Sequence, residues 1–179
     1  PIPDKPALVT SNDRERILRD AAYDAGIRCM WLAQIMAQAR HETQQFDHMI
    51  ELGSADRFNR SYGGILGNDK PGDGNRYRGR GFLHHTGKEW YSRIGAGIGL
   101  GDQLVRRPQD LEKPDIAARA AIWFWKNRVM NRVGEDNAGN IDMVTNIINP
   151  RGKEEARDQR ASYLARYLGK GTMTLHSHF

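Results

Sequence analysis

Between residues 52 and 81 the chain carries eight glycines: Gly53, Gly63, Gly64, Gly67, Gly72, Gly74, Gly79 and Gly81. At the centre of this stretch lies Asn68-Asp69-Lys70-Pro71-Gly72-Asp73-Gly74. Such a density of turn formers predicts loops, with a short hairpin at most, and no helix. Apolar residues recur at helical spacing on either side, so the chain is a helical protein with one long interruption. A structureless loop this long inside a compact domain is usually functional or disordered. Its aromatic and basic residues (Phe58, Tyr62, Tyr77, Arg57, Arg60, Arg76, Arg78 and Arg80) argue for an ordered segment that faces a ligand.

Before the interruption, Ser11-Asn12-Asp13 supplies N-cap residues for a helix carrying Ile17, Leu18, Ala21 and Ala22, closed by Gly26. A second helix runs from about Arg28 to beyond Ala39 with Leu32, Ile35, Met36 and Ala39 on one stripe. After it, Thr86 is read as the N-cap of a helix reaching Ile94, and Pro114-Asp115 opens another. Ile141, Val144 and Ile148 mark a short helix, and a last one begins near Lys153 and stops at Gly169. Six or seven helices in a mostly α single domain over 1–179 are expected. Trp123, Phe124 and Trp125 read as core rather than as sugar platforms.

With 179 residues a core of ordinary size needs no covalent staple. One cysteine, Cys29, excludes a disulfide framework and a cysteine-rich zinc module, and its apolar surroundings predict a buried thiol. No apolar run approaches the roughly 18 residues of a membrane span, so no stable membrane insertion is expected. The net charge of +5 and pI near 9.5 suit an anionic partner. Nucleic acid, an anionic membrane and an anionic cell-wall polymer all fit that charge. The chain shows no basic n-region followed by an apolar stretch, so export by a signal peptide is not expected from it.

The second helix ends in His41-Glu42-Thr43, and Glu51 follows nine residues after Glu42. In an unbroken helix nine residues would set the two about 180° apart and about 13.5 Å along the axis. A break near 45–49, with the chain doubling back, would let both carboxylates line one cleft. Inverting glycosidases use carboxylates about 6.5–9.5 Å apart, with a water between them. The helix C-terminus would favour a protonated Glu42, as a general acid requires. Read without other information, two glutamates nine apart can equally be solvated surface charges. Metal chemistry is disfavoured: His41 and His48 are seven apart without a zincin pattern, and His84-His85 and His176-x-His178 complete no triad. Gly95 to Gly101 misses the dinucleotide spacing, and no Walker pattern occurs. No metal or cofactor is expected.

Three stretches together carry a resemblance: Ala33-Gln34-Ile35 through His41-Glu42-Thr43; Leu66-Gly67-Asn68 with Pro71 to Gly81; and Asn146-Ile147-Ile148-Asn149. In order and separation they resemble glycoside hydrolase family 19 chitinases, most closely that family's bacteriophage endolysin branch, over roughly residues 12–169. The resemblance implies a lysozyme-like, two-lobed helical domain with the Gly-rich loop lining a cleft. It also implies inverting hydrolysis of a β-1,4 bond next to N-acetylglucosamine or N-acetylmuramic acid. By position, Glu42 resembles the general acid, Glu51 the general base and Thr86 the hydroxyl that holds the attacking water. Asn149 resembles a cleft asparagine, and Arg160 an arginine fixing charge beneath the cleft. His84, Trp90, Asn149, Tyr77 and Arg160 form the expected substrate-binding set.

Departures from the family pattern at His84, Trp90 and Pro150-Arg151 bear on subsite preference. His84 stands in place of a glutamine, and an imidazole cannot donate and accept as an amide does. Trp90 stands where asparagine is common and offers a ring to stack on a sugar. Pro150-Arg151 replaces a Gly-Gly. The loop arginines, which alone would suit nucleic acid, are expected instead to form ion pairs that hold the loop and buttress the glutamates.

The resulting expectation is a monomeric peptidoglycan hydrolase, an endolysin or lysozyme, that needs no nucleic acid. It would reside in the host cytoplasm until a separate holin gives access to the cell wall. A chitinase, a secreted antibacterial toxin of the same family and a silent glycan-binding module are the alternatives.

Overall fold

The computed structural model describes residues 9–150 and 154–174. Helix α1 (Ser11–Asp24) begins one residue earlier in its capping than the sequence suggests. Thr10 is the N-cap, and it exchanges bonds with Asp13 in a capping box. Helix α2 (Cys29–Glu42) is buried on nearly every side, from Trp31 through Arg40 with Leu32 partly covered. Cys29, at its first residue, is exposed rather than buried. The apolar stripe begins beyond it, so the thiol stays outside the core.

The Gly-rich segment is not helix-free. It contains α3 (Ala55–Tyr62), capped by Ser54, and the single turn α4 (Asp73–Arg76). Phe58 anchors α3 in an otherwise polar sequence, and that one buried ring outweighs the surrounding turn formers. The expected hairpin reduces to isolated antiparallel bridges, Ile50 with Arg80 and Arg80 with His85. Helix α5 (Lys88–Gly97) is capped by Gly87 at φ +96°, not by Thr86. A Cβ at position 87 would lie 2.4 Å from that of Leu66, so glycine is required there.

The short α6 (Gln103–Arg106) leads to α7 (Pro114–Phe124), which passes through a π-helical turn (Trp125–Met130) into α8 (Asn131–Val133). Helix α9 (Ile141–Ile148) precedes α10 (Glu154–Thr174), which packs along α2. Lys153, where the last helix was expected to begin, lies outside the described residues, as do Arg151 and the tail histidines. Helix α10 runs past Gly169 rather than stopping there.

Two hydrophobic cores meet at α7. Ala117, Ala118 and Ala121 face the core built on α1, α2 and the π turn, where Trp31 and Trp125 pack edge to face. Ile116 and Ala120 face a second core with Tyr77, Tyr91, Ile94, Leu104 and Leu111. The small alanines bring the two lobes close against one helix. Phe124 and Trp125 are buried, and Trp123 is partly so, as expected of core residues.

The decisive local feature follows α2. Thr43 ends the helix, and Gln44, Gln45 and Phe46 then all adopt left-handed backbone, with φ of 49°, 64° and 68°. Left-handed backbone costs about 1–2 kcal/mol per non-glycine residue. Thr43 Oγ1 donates to Ala39 O at 2.6 Å and accepts from Phe46 N–H at 2.9 Å. Gln45 N–H donates to Arg40 O at 2.7 Å and His48 N–H to Thr43 O at 2.9 Å. Phe46 is fully buried against Phe82, which contributes about 1.5–3 kcal/mol. These contacts offset the strain and end α2 in a tight left-handed turn between Glu42 and Glu51.

Candidate active site

Glu42 is the last residue of α2. Its side chain is 12% exposed, and its Oε1 accepts from Arg160 Nη2 at 2.6 Å. Arg160, on α10, is completely buried, and its other terminal nitrogen donates to Gln38 Oε1. Gln38 lies one turn before Glu42 on the same face of α2, so the two present a matched pair of oxygens to one guanidinium. Gln38 in turn donates to Thr145 Oγ1 at 3.0 Å, tying α9 to the same assembly. His41 Nδ1 donates to Gln159 Oε1 at 2.7 Å. Burial first, then the charge of Arg160, holds the His41 pKa below its usual value.

Glu51 lies beyond the left-handed turn, in the strand-like segment that pairs with the Gly-rich loop. Its N–H donates to Gly79 O at 2.8 Å, and Gly81 N–H donates back to Met49 O at 2.8 Å. The Tyr62 hydroxyl lies 3.1 Å from both carboxylate oxygens, and Gly79 N–H donates to Oε2 at 3.3 Å. Arg57, an exposed cation, stands 3.6 Å from Oε1. Gly79 leaves room for this approach, since a Cβ there would crowd Glu51 Oε2 at 3.1 Å and His84 Cβ at 3.0 Å.

Residues 82–86 follow the Gly-rich loop, and His84, like Glu51, lies close against Gly79. Thr86 Oγ1 donates to His84 O at 2.8 Å, which leaves its lone pairs to accept a hydrogen from water. His84 is half-buried with φ of +45°, and its Nε2 donates to His48 O at 3.1 Å. Its ring thereby links the reversed segment to the loop. His85 is buried against Phe124, and burial pushes its pKa down to about 3, with His84 adding to the effect.

The remaining expected residues divide. Asn149 caps the C-terminus of α9 and is half-buried. Tyr77 is 3% exposed, stacks edge-on against Tyr91 and donates to Val105 O at 3.2 Å. It is a core residue of the second lobe and has no surface to offer a sugar. Arg160, also without exposed surface, acts beneath Glu42 and not as a substrate contact. Trp90 packs edge-on against Phe124, with the guanidinium groups of Arg93 and Arg128 5.6 and 5.4 Å from the ring centroid. These contacts make it a wall between the two cores rather than an open stacking platform.

The loop arginines turn to the protein's own groups. Arg80 is buried, pairs with Glu112 at 2.8 Å and donates to Arg76 O and Tyr91 Oη. Arg78 donates to Asn75 Oδ1, and Arg76 to the carbonyls of Val105 and Arg106. Sequence reading missed Gln38 and the contact of Tyr62 with Glu51. The i, i+4 spacing of Gln38 and Glu42 was a usable signal for the first. Among the described residues no group of three or more His, Cys, Asp or Glu is assembled to hold a metal ion, and no helix is long and apolar enough to cross a membrane.

No family model matches the chain. The chain is 32% identical over 172 residues to the acidic 26 kDa endochitinase of Solanum lycopersicum, covering 83% of this chain and 64% of the relative. It is 33% identical over 162 residues to the acidic endochitinase pcht28 of Solanum chilense, covering 77% and 60%. It thus spans less than two thirds of the length of these relatives. In fold it is similar to the family GH19, class IV chitinase from Zea mays, with a TM-score of 0.64 and 19% identity, covering 94% of this chain and 88% of that one.

Proposed function

This chain belongs to glycoside hydrolase family 19, and we propose that it hydrolyses β-1,4 bonds of bacterial peptidoglycan by an inverting acid/base mechanism. The observation that carries this reading is the pair of restrained carboxylates on either side of the left-handed turn. Glu42 is held by Arg160, and Glu51 by Tyr62 and Gly79. Glu42 donates its proton to the glycosidic oxygen as the bond to the anomeric carbon breaks. It is left as a carboxylate 2.6 Å from a buried guanidinium, which stabilises the charge as it develops. Glu51 takes a proton from a water that attacks the opposite face of the sugar, and Thr86 Oγ1 accepts that water's other hydrogen. The hydroxyl formed at the anomeric carbon is inverted, and solvent returns the proton from Glu51 to Glu42.

Charge supports peptidoglycan over a neutral polymer. The two Solanum relatives are named acidic, whereas this chain has a pI near 9.5 and a net charge of +5. Exposed Arg57 on α3 puts positive charge 3.6 Å from Glu51, where an anionic glycan with peptide stems gains and a chitin chain does not. The second reading, a chitinase, draws on the names of those relatives. On the peptidoglycan reading the bond cut joins N-acetylmuramic acid and N-acetylglucosamine. The enzyme acts at the cell wall, a separate holin giving it access if it is a phage endolysin.

Mass spectrometry of purified peptidoglycan digests, beside soluble N-acetylglucosamine oligomers, tests the proposal. New reducing ends from peptidoglycan, with the α anomer formed first by NMR, are the expected result. Cleavage of the oligomers alone would establish the chitinase reading, and a first-formed β anomer would overturn inversion.

A further inference from the structure

The Leu66-Gly67-Asn68 stretch stands out in sequence yet contributes no residue to the acid, the base or the water contact. Its buried member is Asn68, 1% exposed. Asn68 Nδ2 donates to Tyr62 O at 2.9 Å, and its Oδ1 accepts from Lys88 N–H, the first residue of α5, at 3.0 Å. Its own carbonyl accepts from Gly64 N–H at 2.8 Å, and its N–H donates to Ile65 O at 3.0 Å. One buried side chain therefore clamps the end of α3 to the start of α5. Tyr62 is the last residue of α3, and its ring stacks on Phe58, the anchor of that helix, with planes 10° apart.

We infer that Tyr62 is a positioning residue for Glu51, fixed from behind by Asn68, and that this is the role of the Leu66-Gly67-Asn68 stretch. The inference rests on the reading of Glu51 as general base. The phenol has one proton and sits 3.1 Å from each carboxylate oxygen, so it can serve either one while the other accepts from water. The Gly79 N–H at 3.3 Å and Arg57 at 3.6 Å complete a set of donors around the carboxylate. Arg57 is exposed and Gly79 donates at the long end of the hydrogen-bond range, so the half-buried Tyr62 hydroxyl supplies most of the orientation. A base that must meet a water in line with the anomeric carbon loses rate steeply when its carboxylate can swing.

Tyr62→Phe removes the hydroxyl and keeps the stacking on Phe58. It should lower kcat at least tenfold, with KM within about threefold of wild type and an unchanged melting curve. Because Tyr62 acts through Glu51, adding Tyr62→Phe to Glu51→Gln should lower the residual rate no further. Asn68→Ala should reproduce the loss of kcat even where its stability falls, and subsaturating folded fractions are corrected by the melting curve.

A Tyr62→Phe enzyme with wild-type kcat, beside an inactive Glu51→Gln, overturns the inference and leaves the base assignment standing. A full additional loss in the double variant overturns it too, since Tyr62 would then act independently of Glu51. Near-normal activity of Glu51→Gln removes the base assignment itself.

Discussion

Arg160 Nη2 and Glu42 Oε1 lie 2.6 Å apart across 118 residues of sequence, and the guanidinium has no exposed surface. The pair joins the end of α2 to α10 and divides the arginine's two terminal nitrogens between Gln38 and Glu42. A carboxylate fixed this way is held to one rotamer at the end of α2, with 12% of its side chain exposed.

Glu42→Gln should fold with a near-normal melting temperature, because the amide oxygen still accepts from Arg160. It has no proton to give the leaving oxygen, and general-acid catalysis is worth about 10²–10⁴-fold. Peptidoglycan turbidity assays should show at least a hundredfold loss. Retention of a tenth of the activity would remove Glu42 from the acid role.

Arg160→Lys keeps the charge and loses the fork. An ammonium on a flexible stem cannot hold Gln38 and Glu42 in the same plane. Reduced kcat and a lower melting temperature are expected together. Arg160→Ala, which leaves Glu42 without its buried partner, should cost more, on the order of 3–5 kcal/mol. Chemical denaturation of the two variants ranks them, and equal stability would contradict the bidentate arrangement.

His85 predicts a pH dependence of stability. It is buried and neutral, with its pKa pushed down to about 3, whereas in the unfolded chain it titrates near 6.5. Between these values the unfolded state binds the extra proton, so stability falls as pH drops below about 6.5. Each pH unit removes up to about 1.4 kcal/mol. Melting curves from pH 7 to 4.5 should therefore be steeper for wild type than for His85→Gln. Parallel curves would show that His85 is accessible to protons in the folded state.

His84→Gln replaces the imidazole by the amide common in the family. Its NH₂ can keep the bond to His48 O, while its oxygen is offered to a sugar N–H, which the Nε2-bonded imidazole meets only with Nδ1. The length distribution of glycan products should change while the melting temperature moves by less than a few degrees. Identical products would assign His84 to the scaffold between His48 and the loop.

The sequence by itself determined the helical periods and the position of the long interruption, and it singled out Glu42, Glu51 and Thr86 as candidates. These are local properties: repeat spacing, turn formers and a recurring motif are written in neighbouring residues. What it misjudged was also local in appearance. Phe58 draws α3 out of a glycine-rich stretch because one aromatic ring found a partner elsewhere, and Cys29 is exposed because the apolar stripe starts after it. Gly87 rather than Thr86 caps α5, since the approach of Leu66 leaves no room for a side chain.

Only the tertiary structure decided how Glu42 and Glu51 are held. The left-handed run at Gln44, Gln45 and Phe46 has no glycine to announce it; it persists because burial of Phe46 and the bonds of Thr43 outweigh its strain. The partners of the two carboxylates, Arg160 and Tyr62, come from helices whose placement depends on the cores behind them. Buried polar pairs are chosen by packing, because a guanidinium or phenol taken from water must meet whatever acceptor the fold brings within 3 Å or so.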